Sequence, residues 1–113
     1  MDFTRFPGGN DSEVMKSDSG ENGWTFLTNH ALVLLQVWRT PDMTVRDIAT
    51  RVGVTERAAL RIMADLVAEG YVSRRRMGRN NHYFVDRERK MRHPEVAHCR
   101  IERLLQMIES DRT

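Results

Sequence analysis

The stretch TVRDIATRVGVTERAALRIMADLVAEGYVSRRRMGRNNHYFV, residues 44–85, decides the fold. It reads as two short helices followed by a hairpin. Thr44 suits a helix N-cap, because its hydroxyl accepts a hydrogen bond from an orphan backbone N–H. Asp47 adds an acid at the positive end of that helix. Val45, Ile48, Ala49 and Val52 recur at i, i+3, i+4 and i+7, which is one helical face. Gly53 then ends the helix, and Val54 plugs the turn. Thr55 is a second N-cap, and the next helix is predicted to run to about Glu69 before Gly70 stops it. Its apolar stripe is Ala59, Ile62, Met63 and Leu66. Glu56, Arg57, Leu60, Arg61 and Ala64 fall on the opposite face.

Two helices joined by a short glycine-bearing turn match the helix-turn-helix unit. The second of them is the one that lies in a DNA major groove, N-terminal residues nearest the bases. Arg57 and Arg61 can present bidentate donors to guanine O6 and N7. Ala58 permits close approach, and Leu60 can meet a thymine methyl. Asp65 is placed to pair with Arg61 at i, i+4.

Tyr71–Arg76 is rich in strand formers, and His82–Val85 reads as a returning strand. Between them Met77–Asn81 reads as a turn, in which Gly78, Asn80 and Asn81 tolerate positive φ. Arg74, Arg75, Arg76 and Arg79 crowd the tip, with Asn81 beside them. These residues are expected to contact phosphates or the minor groove. A basic hairpin can simply be solvated, but this one directly follows a helix-turn-helix.

The order of helix, helix, helix and basic hairpin resembles the winged helix-turn-helix transcription regulators, and most nearly their MarR-like group. The pattern TERAALRIMADLVAEGYVSRRRMGRNNHYFV carries the resemblance, especially Thr55, Arg61, Asp65, Leu66, Gly70, Tyr71, Gly78, Arg79 and Tyr83. It spans roughly residues 25–86. It implies a mainly α fold with a small β-hairpin wing, an α+β winged helix-turn-helix, with an added C-terminal helix. It also implies a homodimeric DNA-binding regulator, acting as a repressor in the cytoplasm, and no enzymatic activity.

Upstream, residues 1–23 are rich in Gly, Asn, Ser and Asp without a period, and are expected to be a disordered tail. Phe3 and Phe6 are its only anchors. Trp24–Arg39 is read as the first helix of the domain, capped at Thr28 or Asn29. Ala31, Leu32, Leu34, Leu35 and Trp38 make it too apolar for a surface helix, so it should be the central core element. Trp24 and Phe26 are expected to pack back on it or on a second subunit. Pro41 ends the helix, and Met43–Thr44 is a candidate first strand beside the hairpin.

Downstream, Asp86–Arg92 is a charged run, either a solvated linker or helix start, or a DNA-backbone contact. Pro94 suits the first turn of a last helix over Glu95–Ser110. Its stripe of Ala97, Ile101, Leu104, Leu105 and Ile108 must bury against either the domain's first helix or a second copy. Dimerisation is the expected use, following the winged-helix resemblance. The domain division is thus 1–23 tail, 24–92 winged helix-turn-helix, and 93–113 closing helix.

Composition agrees. A chain of 113 residues with 40% hydrophobic residues supports one domain. The net charge of +2 hides an asymmetry: residues 24–92 hold 13 basic and 7 acidic side chains. Twelve of those 13 are arginine, favouring planar bidentate contacts. The single cysteine, Cys99, forbids an internal disulfide and fits a reducing compartment. No apolar run approaches a membrane span, and the N-terminus does not read as a signal peptide.

His93, Glu95, His98, Cys99 and Glu102 lie close in sequence, and His98 and Glu102 share an i, i+4 spacing. One cysteine and scattered histidines are a weak ligand set, so no metal or cofactor is expected. Cys99 reads as an inert helix residue rather than a redox sensor. No nucleophile with a base and an orienter emerges, and no phosphate loop. The alternative to a DNA reader is a winged-helix module for protein or RNA, suggested by Glu56 and the exposed position of Leu60. A small-molecule effector is left open.

Overall fold

The computed structural model describes residues 24–112. The expected disordered tail over residues 1–23, with Phe3 and Phe6, lies outside them.

Helix α1 (Asn29–Arg39) is the central element. Thr28 caps it, its Oγ1 accepting the Ala31 N–H at 3.1 Å. The helix therefore starts five residues later than the predicted Trp24, because the cap fixes Thr28 in an extended conformation (φ −73°, ψ 166°). Five consecutive residues, Val33–Val37, are buried, as an all-round apolar helix requires. Trp24 and Phe26 do not pack back on it. They meet each other edge to face at 5.1 Å, and Phe26 is 92% exposed.

Helix α2 (Val45–Val52) and helix α3 (Glu56–Ala68) follow the sequence reading closely. Thr44 Oγ1 accepts from Asp47 N–H at 3.1 Å, and Thr55 Oγ1 accepts from Ala58 N–H at 3.0 Å. Each cap satisfies a donor the helix cannot satisfy itself, an effect of about 1 kcal/mol. Gly53 closes α2 in the left-handed region. Ile48, Ala49, Ala59, Ile62, Met63 and Leu66 are buried against α1, which locks the two helices into one unit.

Strands β1 (Val72–Met77) and β2 (Asn80–Val85) form a two-stranded antiparallel hairpin, with Val72 opposite Val85 and Met77 opposite Asn80. The loop is only Gly78-Arg79. Gly78 alone takes positive φ (+70°), as the first position of a II′ turn demands, and no other residue type does so among the described residues. Met77, Asn80 and Asn81 are thus strand residues rather than the turn residues expected. The candidate strand at Met43–Thr44 does not form. The link there is one hydrogen bond, from Tyr83 N–H to the Pro41 carbonyl at 3.0 Å, because a turn bond from Met43 N–H to the Thr40 carbonyl bends the chain away.

The end of the chain differs most from expectation. Pro94 opens a separate 3₁₀ turn (Pro94–Val96), and helix α4 spans only Ile101–Ser110. Arg100 is held extended (φ −79°, ψ 147°) by a bridge to Lys90, so Ala97 and His98 lie before the helix. Ile101 N–H also donates to the Arg89 carbonyl at 2.8 Å. The spacing that would set His98 and Glu102 on one helical face is lost. Ile101 (6% exposed) and Leu105 (1%) enter the core of this same chain, with Leu104 and Ile108 half-buried beside them. Arg39 and Glu109 pair across the α1–α4 contact. No helix among the described residues is long and apolar enough to cross a membrane.

The charged run 86–92 ties α4 to the rest. Arg87 pairs with Glu102 at 2.8 Å and lies over the Trp38 ring, and Glu88 pairs with Arg100 at 3.1 Å. Tyr71 Oη donates to the Lys90 carbonyl at 2.7 Å. The run therefore straps α4 to the rest of the domain, while all of its residues but Met91 stay exposed.

Candidate nucleic-acid interface

Helix α3 presents one face to solvent. Glu56, Arg57, Leu60, Arg61 and Ala64 are all exposed on it, while Ala58 is half-buried at the turn. Both arginines are free of carboxylates among the described residues. The expected Arg61–Asp65 pair does not form, since Asp65 is engaged by His30 Nε2 of α1 at 2.8 Å. That contact spans 35 positions and leaves the Arg61 guanidinium unneutralised. Thr55 uses a lone pair as the α3 cap, but its O–H remains a donor for an external oxygen.

The wing divides its arginines between two faces. Side chains alternate along a strand, so Arg74 and Arg76 share a face with Val72, Asn81, Tyr83 and Val85. Tyr83 and Val72 bury the base of that face. Arg75 lies on the other, over the Phe84 ring at 5.5 Å, and His82 stacks beside the same ring at 6.1 Å. Arg76 Nε donates to the Gly78 carbonyl at 3.4 Å. Arg79 occupies the tip. Arg74, Arg75, Arg76 and Arg79 are exposed, and Asn81 is half-buried.

Two arginines were not singled out from sequence. Arg46 sits in the first turn of α2 and Arg51 in its last, both exposed and without an ion pair among the described residues. A cation in a first turn opposes the helix dipole, and that unfavourable placement is the signal in the sequence that marks Arg46. Elsewhere among the described residues most arginines are paired, Arg89 and Arg103 excepted. Arg39, Arg87, Arg92, Arg100 and Arg112 all have carboxylate partners. The eight arginines from Arg46 to Arg79 have none among the described residues.

A groove of about 680 Å³ runs between α1, the end of α3 and the 91–104 segment, lined among others by Phe26, Ala31, Leu66, Tyr71, Val96 and Leu104. Burial raises the Tyr71 phenol above its ordinary value, an effect partly offset by the nearby Arg89 and Arg92 cations. Cys99 is half-buried. Among the described residues no group of three or more His, Cys, Asp or Glu is arranged to hold a metal ion.

Three helices with a basic hairpin, α2 and α3 meeting at a glycine turn, define a winged helix-turn-helix protein. Residues 29–73 match the family model for winged helix-turn-helix DNA-binding domains, from α1 to the second residue of β1. No curated protein matches the chain. Two of the solved structures to which it is similar are the following. One is the MarR family protein Rv2887 of Mycobacterium tuberculosis in complex with salicylic acid, 21% identical, with a TM-score of 0.46. That alignment covers 75% of this chain but only 62% of Rv2887. The other is the PcaV transcriptional regulator of Streptomyces coelicolor in complex with its natural ligand, 17% identical, with a TM-score of 0.48, covering 100% of this chain and 84% of PcaV.

Proposed function

We propose that this chain is a MarR-like, sequence-specific regulator of transcription that binds duplex DNA as a homodimer and acts as a cytoplasmic repressor. One observation carries the reading: eight exposed arginines cluster on α2, α3 and the wing, and none has a carboxylate partner among the described residues, whereas five of the seven other described arginines are paired. Helix α3 enters the major groove, where Arg57 and Arg61 read guanines and Ala58 allows the approach. Thr55 donates to a phosphate. Arg74, Arg75, Arg76, Arg79 and Asn81 hold the backbone or reach the minor groove.

The dimer surface follows from what the fold leaves uncovered. Ile101 and Leu105 are used inside the domain, so of the five residues in the predicted stripe only the half-buried Leu104 and Ile108 keep part of their surface at α4. Ala97 is exposed ahead of the helix. Met107 (57% exposed), Trp24 (61%) and Phe26 (92%) supply further apolar area for a second copy. Two copies then address half-sites about one helical turn apart, and occupancy blocks polymerase.

The test is a pair of substitutions. Arg61→Ala should cost about 1–3 kcal/mol at one base position and little elsewhere. Arg79→Ala should weaken all sequences alike and flatten the salt dependence by about one phosphate contact. The reverse pattern would refute the assignment.

A further inference from the structure

Helix α3 carries an apolar line through its basic face. Leu60 (52% exposed), Ala64 and Val67 (42%) are spaced i, i+4 and i+7, so they stand in one row on the surface. Arg57 and Arg61 flank the row's N-terminal end and neither is neutralised by a carboxylate among the described residues. At its C-terminal end Val67 meets Phe84 (42% exposed) across a cavity of about 620 Å³ at the base of the wing. An exposed leucine alone means little. A row of apolar groups inside an arginine-rich surface is different, because the surrounding charge selects a polyanionic partner. The apolar group such a partner offers in the major groove is the thymine C5-methyl.

We propose that Leu60 and Ala64 form a thymine-reading strip, and that the recognised half-site places a T·A pair within about two base pairs of a guanine bound by Arg57 or Arg61. This rests on the DNA-binding reading above and adds the base identity to it. The spacing comes from helix geometry. Arg57 and Arg61 are about 6 Å apart along the axis at 1.5 Å per residue, roughly two base steps of 3.4 Å, and Leu60 lies between them.

The experiment selects duplexes from a random-sequence library with the full chain. The winning duplex is then resynthesised with deoxyuridine replacing one thymidine at a time, which deletes only the methyl. At the proposed position the parent protein should lose affinity about fourfold, the ratio expected for one buried methyl group. Leu60→Ala, an exposed change that leaves the core intact, should bind the two duplexes equally. Equal binding of both duplexes by the parent, or T-over-U discrimination that persists in Leu60→Ala, would overturn the inference while leaving the DNA reading standing. Failure to enrich any duplex would overturn the DNA reading itself, and the inference with it.

Discussion

Leu105→Ala tests whether α4 belongs to the domain's own core. Leu105 is 1% exposed and is among the largest fully buried side chains of the described residues. It packs in a cluster with Val33, Val37 and Ile101. Truncating a buried leucine costs about 2–5 kcal/mol, from lost transfer energy plus the cavity left behind. Domains of this size are stable by roughly 5–15 kcal/mol, so the change removes a large share. Each kcal/mol shifts Tm by about 4–8 °C, giving an expected fall of about 8 °C or more. The assay is urea unfolding followed by circular dichroism at two protein concentrations a hundredfold apart. The midpoint should drop by the same amount at both, with the denaturant slope unchanged. Met107→Ala, on the exposed side of α4, should stay within about 0.5 kcal/mol of the parent at low protein concentration. A Leu105→Ala protein as stable as the parent, or one destabilised only where the parent is oligomeric, would refute the packing of α4 on its own domain.

Other outcomes follow from single contacts. Gly70 has φ +83°, and an added Cβ would sit 3.2 Å from Arg89 Cζ. Gly70→Ala should cost about 1–2 kcal/mol, mostly from backbone strain, since the arginine tip can move aside; thermal melts would show it. Burial raises the Tyr71 phenol, so the fold favours its protonated form. That contribution is complete below the ordinary value of 10.0 and is lost as pH rises through the raised folded value. Stability measured by denaturant should therefore decline above about pH 10. Tyr71→Phe should remove that decline, while losing about 1 kcal/mol at neutral pH with the hydrogen bond to Lys90.

The parts legible in sequence are those governed by neighbours a few residues apart. Thr44, Gly53, Thr55 and Gly70 punctuate α2 and α3 through caps and left-handed ends, which are local chemistry. The apolar spacing of Ile48, Ala49, Ile62, Met63 and Leu66 then orients both helices on α1. The start of α4 was not legible. Its apolar period extends back to Ala97, but a strand-like bridge from Lys90 to Arg100 overrides it from ten positions away. The partner of Asp65 was hidden for the same reason: local spacing favoured Arg61, while the fold brings in His30. Asn80 and Asn81 both tolerate positive φ and so resemble turn residues, yet Gly78 alone meets the demand of a two-residue loop. The arginine inventory was visible throughout. Which of those arginines are neutralised depends on tertiary ion pairs, and so appeared only with the fold.

The central claim is that α3 and the wing bind duplex DNA. Its most direct test is fluorescence anisotropy of a labelled duplex carrying the DNA upstream of the chain's own gene, against a scrambled duplex, over a salt series. The expected result is at least a tenfold preference for the upstream duplex. The logarithm of affinity should fall steeply with the logarithm of salt, with a slope of about −0.9 for each phosphate contacted. Replacing Arg74, Arg75, Arg76 and Arg79 together should flatten that slope by about 3.6 if each holds one phosphate. Absence of binding at low salt, or a slope unmoved by loss of the four wing arginines, would contradict it.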